Sequence, residues 1–261
     1  MVKIILIPSW ILVAIFCSTL AHSYECKDID LLLSPADSEF EEKVEIIENK
    51  YHKQLFSTKD NIVKAQVLYC MGMLYQQSGE TKKSEEMFSK SIENNPNNVS
   101  AYFSRGLLYK DNSKLNNALE DFSLVIELDD NIPIVFFYRS EVNYFLHNYK
   151  DALQDLDAES MLLYGNVPLS RIVLRADIYA TMGEYNTSKE YYLKALDVTN
   201  ELVPWTKGQL PHNFPKEMEI YKKLLKLYCR KGNKKLAVEL VNYSIERNIS
   251  GGELLDSRCW Q

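Results

Sequence analysis

Histidine is scarce in this chain, four among 261 residues, and the scatter of His22, His52, His147 and His212 leaves none to open an HExxH arrangement. The five cysteines include no pair two residues apart, the spacing of a structural zinc or thioredoxin-like site. Glycine is sparse as well, and its one doublet, Gly251 and Gly252, stands alone near the end, so no glycine-rich phosphate loop is formed. The acidic stretch EFEEKVEIIE reads as the surface of a helix before it reads as a paired acid and base. These absences leave no motif for the usual metal or phosphate chemistries. The chain is therefore expected to be no enzyme and to hold no cofactor and no metal.

What is present begins with one lysine followed by a mostly apolar run, with Ala21 and Ser23 placed for cleavage before Tyr24. Residues 1–23 read as a secretory signal, with an uncleaved membrane anchor as the alternative, although Pro8 and Ser9 interrupt the run. The expected location is export, to a bacterial periplasm. The N-x-S/T matches at Asn98, Asn186, Asn242 and Asn248 are then accidental. Cleavage would leave Cys26, Cys70, Cys229 and Cys259, for which three complete pairings exist. Cys26 with Cys70 would join an N-terminal cap to the first repeated unit, and Cys229 with Cys259 would pin the tail to the last; free buried thiols are the alternative. The net charge is −6, with acid concentrated over residues 25–50 and base over residues 216–239. Such polarity can orient a partner, but it does not identify nucleic acid, and none is expected.

The remainder is repetitive. LYCMGMLYQQSGETKKSEEMFSKSIENNPNN aligns with YFSRGLLYKDNSKLNNALEDFSLVIELDD, each being two apolar runs of helical spacing about a short polar turn. Counting positions from residues 65, 99, 133, 169 and 218 brings five units into register: 65–98, 99–132, 133–166, 169–202 and 218–248. Position 8 is Gly72, Gly106, Ser140, Ala176 and Leu225, while position 20 is Ser84, Ala118, Ala152, Ser188 and Ala237. Small residues at both places let two helices pass closely. Position 24, large in each unit (Phe88, Phe122, Leu156, Tyr192, Val241), fills the space beside that crossing. Gly79, Gly183 and Gly232 fall at the turn, position 15. Because a two-helix unit cannot bury both helices alone, neighbours must stack into one core.

MGMLYQQSG, RGLLY, LRADIYATMGEY and LLKLYCRKG carry a pattern that strongly resembles the tetratricopeptide repeat family over residues 65–248. The resemblance implies an all-α fold, a right-handed superhelical stack of antiparallel helix hairpins whose first helices line a concave groove. Departures are two extra residues before the fourth unit, Leu225 at position 8, and the proline-rich insertion 203–217. Residues 24–64 would supply an N-terminal extension and cap helix, and 249–261 a tail.

An arginine recurs at position 7, as Arg105, Arg139 and Arg175. Position 23 of the preceding unit offers Asp121 to Arg139 and Asp155 to Arg175, so ion pairs between repeats are expected, with Arg105 left as the best candidate for a ligand contact. The resemblance directs Tyr69, Met73, Phe103, Leu107, Phe137, Tyr144 and Phe145 into the groove as partner-binding residues. Two functions follow. One is an exported adaptor that takes a protein or peptide into the groove during envelope assembly or secretion, associating with the membrane through a complex. The alternative is a structural, self-associating subunit whose groove is occupied by its own loop or tail, with Trp205 and Trp260 as anchors.

Overall fold

The structure, a computed structural model, describes residues 39–202 and 214–230, together with Cys26, Ile29, Ala237 and Val238. The signal segment, the insertion with Trp205, and the tail with Cys259 and Trp260 lie outside the described residues. The fold is an all-α, helix-hairpin solenoid. Its helices are α1 (Phe40–Ser57), α2 (Asn61–Gln77), α3 (Thr81–Asn94), α4 (Val99–Asp111), α5 (Leu115–Leu128), α6 (Pro133–Phe145), α7 (Tyr149–Leu162), α8 (Leu169–Thr181), α9 (Tyr185–Leu202) and α10 (Phe214–Arg230). They fall into two compact units divided after Val142, within α6.

Helix starts are marked by side chains that accept otherwise unpaired amides. Asp60 accepts from Ile62 N at 2.7 Å and Val63 N at 3.3 Å at the start of α2, and Asn98 accepts from Ala101 N at 3.2 Å at the start of α4. The turns inside the hairpins share one construction. Position 15 is left-handed in four of them, with φ of 77° at Gly79, 58° at Ser113, 64° at His147 and 82° at Gly183. The next amide then reaches the carbonyl at position 11: Glu80 to Tyr75, Lys114 to Tyr109 and Asn148 to Asn143 at 2.8 Å, and Glu184 to Tyr179 at 2.9 Å. Carbonyls left open by the helix end are closed in this way. The two extra residues before the fourth unit fall at the turn after α7, where Tyr164 and Gly165 both take positive φ.

In the first unit the α2–α3 and α4–α5 crossings are set by glycine. A Cβ on Gly72 would lie 2.5 Å from the Phe88 ring, and one on Gly106 would lie 2.7 Å from that of Phe122. Ser84 Oγ donates to Gly72 O at 2.8 Å, adding a polar tie where the backbones are near. Helix α1 buries Phe40, Val44, Ile47 and Tyr51, spaced as one helical stripe, in a cluster with Leu74 and Phe88. Cys26 is disulfide-bonded to Cys70, which joins the segment before α1 covalently to α2.

The second unit repeats the scheme with alanine in place of glycine. Ser188 Oγ donates to Ala176 O at 2.8 Å, and Ala176, Tyr192, Tyr221 and Leu224 share a buried cluster. Leu225, the large residue at position 8, is buried there as well. Cys229 is also disulfide-bonded.

Candidate interaction surfaces

The arginine ladder is a packed seam, with pairings different from those expected. Arg105 holds Asp121 with two hydrogen bonds, Nε to Oδ2 at 2.9 Å and Nη2 to Oδ1 at 2.8 Å. Asp121 thus pairs within its own repeat. The reason is hairpin geometry: position 7 lies eight residues before the turn and position 23 eight after it, so in antiparallel helices they face each other. The same register seats Arg175 over the Tyr191 ring, 5.6 Å from its centroid.

The link to the preceding unit comes instead from position 25. Arg105 Nη1 donates to Ser89 Oγ at 3.0 Å, Arg139 Nη1 to Ser123 Oγ at 3.4 Å, and Arg175 Nη1 to Asp157 Oδ1 at 2.6 Å. Arg175 therefore contacts Asp157 where Asp155 was expected; Asp155 accepts from Asn143 Nδ2 at 3.2 Å. Each arginine joins two successive hairpins, which is why the residue recurs with the repeat. Burial pushes the Asp121 carboxyl above its ordinary range, and the Arg105 hydrogen bonds pull it back. Arg105, the expected ligand candidate, spends its guanidinium on this seam.

The aromatic groove residues also differ from expectation. Tyr69, Phe103, Leu107 and Phe137 are buried. Tyr69 lies 5.9 Å from Phe88 and Phe103 lies 6.0 Å from Phe122, centroid to centroid, so position 5 packs on position 24. Phe137 lies 5.3 Å from Tyr138. Met73 and Tyr144 are partly buried, and Phe145 is 56% exposed. Tyr144 stands 5.6 Å from Phe145 and 6.1 Å from Tyr149, and His147 Nδ1 is 2.8 Å from Tyr149 Oη. This small group of rings at the α6–α7 turn is what the expected groove set leaves at the surface.

Several polar groups on the first helices have partners within the fold. Lys110 Nζ donates to Glu141 Oε2 at 3.2 Å in the first unit. In the second, Asp177 accepts from Lys223 Nζ at 2.6 Å and from the hydroxyl of Tyr192. Tyr75 Oη donates to Glu48 Oε1 at 2.5 Å, tying α1 to α2. Burial first, and the adjacent carboxylates second, hold the phenols of Tyr75 and Tyr192 well above the usual tyrosine range.

Tetratricopeptide repeat models match residues 65–98, 87–120 and 171–201. Over those residues the chain resembles the tetratricopeptide repeat (TPR) family. No curated protein matches it. Among solved structures, MamA from Desulfovibrio magneticus RS-1 is similar with a TM-score of 0.59 and 17% identity, over 74% of this chain and 97% of that one. YrrB, described as a TPR protein with an unusual peptide-binding site, scores 0.59 at 16% identity, over 77% and 92%. A TPR protein from Parabacteroides merdae scores 0.60 at 14% identity, over 84% and 80%.

The family models and the solved structures agree with the helix-hairpin geometry on a TPR-like fold. No group of His, Cys, Asp and Glu that could hold a metal occurs among the described residues. The expected periplasmic location does not stand: the solved structures to which this chain is repeatedly similar are of MamA, and that likeness gives export no support. Among the described residues no helix is long and apolar enough to cross a membrane.

Proposed function

We propose that this chain is a structural, self-associating scaffold subunit. The observation that supports the reading is the use already made of the expected groove face. Tyr69, Phe103, Leu107 and Phe137 are packed inside the fold, and Lys110 with Glu141, and Asp177 with Lys223, satisfy one another. A groove built to hold an extended peptide needs apolar anchors and unspent polar groups to fix its register. Here those same positions serve the stacking of repeats, so recognition is left to the outer surfaces. Sedimentation velocity over a wide concentration range tests this. Reversible growth of the sedimenting species with concentration is expected, and a monomer throughout would sink the proposal.

Partner capture is the second reading, favoured by the exposed ring of Phe145 beside Tyr144 and Tyr149. The peptide-binding site in the description of YrrB is consistent with it. On this reading Met73, Tyr144 and Phe145 remain as recognition residues. Phe145→Ser would then abolish capture of a protein partner while leaving self-association unchanged.

A further inference from the structure

We propose that the outward face of α1 is where two copies of this chain pair, antiparallel and about a two-fold axis near Asn49. The proposal rests on the self-association reading above and gives it a surface. Helix α1 turns Phe40, Val44, Ile47 and Tyr51 inward. The opposite stripe, Glu42, Glu45, Ile46, Asn49, Lys53 and Phe56, is exposed at every position. A helix flanking a repeat stack ordinarily keeps a polar outer face. This one carries Ile46 at 61% and Phe56 at 91% exposure on that face.

Charge selects the occupant. The first half of α1 carries Glu41, Glu42, Glu45 and Glu48 against the single Lys43, and the second half carries Lys50 and Lys53 with no acid. That order also suits the dipole of α1 itself, so the apolar side chains on the same stripe are what call for a partner. Given one, the charges of the face are complementary to themselves in a single orientation, which lays Phe56 on the aliphatic stem of Glu42 and Ile46 beside the His52 ring of the other copy. Antiparallel pairing about Asn49 sets Glu45 of each copy against Lys53 of the other and brings the two Asn49 amides together. Parallel pairing would set Glu42 and Glu45 against their own copies, which like charges disfavour. A contact on which the same patch serves both partners closes as a dimer and does not extend. One helix of about 27 Å on another buries less than the roughly 1,200 Å² of a stable complex, which makes the encounter weak and readily reversible.

The test is sedimentation velocity of the intact chain from about 1 to about 500 μM, a range that spans weak pairing, with thermal melts to show that each variant keeps its fold. Glu45→Lys and Lys53→Glu should each weaken dimerisation about tenfold, since the symmetry converts two attractive pairs into two repulsive ones. The double variant E45K/K53E should restore it. Residues 45 and 53 are too far apart to meet within one helix, so rescue can come only from the second copy. Phe56→Glu should weaken pairing with no rescue. Nitroxide labels at position 49 should lie close across the axis, and labels at position 42 should be offset by about 21 Å along it, at 1.5 Å per residue. Self-association that ignores all three single variants would overturn the α1 pairing and leave the scaffold reading standing. A monomer at every concentration would overturn both.

Discussion

Asp121→Ala removes the acceptor at the centre of the first seam, and the structure sets what that should cost. Asp121 is 2% exposed; Arg105 retains 18% side-chain exposure. The substitution deletes two charge-assisted hydrogen bonds and leaves a largely desolvated guanidinium with the Ser89 hydroxyl and the faces of Tyr102 and Tyr109. Breaking a buried pair from one side typically costs about 3 to 5 kcal/mol. Water can still reach Arg105, so the lower end, about 3 kcal/mol, is expected here. Asp157→Ala is the internal control. Its partner Arg175 is as enclosed as Arg105, yet the Asp157 side chain is 58% exposed, and the loss should be about 1 kcal/mol or less.

Arg105→Met examines the same pair from the other side, keeping most of the aliphatic stem while removing the charge. Asp121 is already pushed up by burial; without its partner it should rise further. An acid whose folded pKa exceeds its unfolded one loses stability as pH climbs from the unfolded value, about 3.9, through the folded value. The penalty of Arg105→Met should therefore be small near pH 4 and grow toward pH 8. Urea denaturation of the variants and the parent at several pH values measures all three effects. Equal losses for Asp121→Ala and Asp157→Ala, or a flat pH dependence for Arg105→Met, would refute the assignment of this seam as buried and charge-coupled.

Gly106→Ala should cost about 1 to 3 kcal/mol by overpacking, since its Cβ meets the Phe122 ring at 2.7 Å. Ser113→Gly, at a left-handed turn position, should instead stabilise by up to about 1 kcal/mol; denaturation midpoints moving the same way in both variants would contradict this. Phe103→Ser should lose about 3 to 5 kcal/mol as a core deletion, whereas exposed Phe145→Ser should change stability by about 0.5 kcal/mol or less, and similar losses at the two sites would show that their burial has been misassigned. Raised Tyr75 and Tyr192 contribute stability that is complete below about pH 10 and declines above it. Two of the 17 tyrosines should accordingly ionise only with unfolding, seen as a late step in phenolate absorbance that shrinks in Tyr75→Phe.

The repeat period, the small residues at the helix crossing and the glycine turns could be read from the sequence because each rests on local sterics. Ser113 and His147 could not be picked out as left-handed, because nothing in their side chains asks for positive φ; only their register with Gly79 and Gly183 does. The seam was legible as a repeating arginine but misassigned by one repeat for Asp121. Counting equal distances from position 15, a step available in the sequence, puts Arg105 opposite Asp121 at once.

The burial of Tyr69 and Phe103 in the expected groove set has a related reason. Positions 5 and 8 are three residues apart and share a helix face, and position 8 is where Gly72 and Gly106 admit the rings of Phe88 and Phe122. Tyr69 and Phe103 on that face must meet the same rings, as they do. Large aromatics at position 5 therefore report on how hairpins pack and carry little information about a partner. The informative apolar residues are those that the repeat does not require. Ile46 and Phe56 lie on α1, ahead of the first repeat, on the side opposite its buried stripe. No packing rule of the array accounts for them, which is why the proposed pairing is placed on that face of α1.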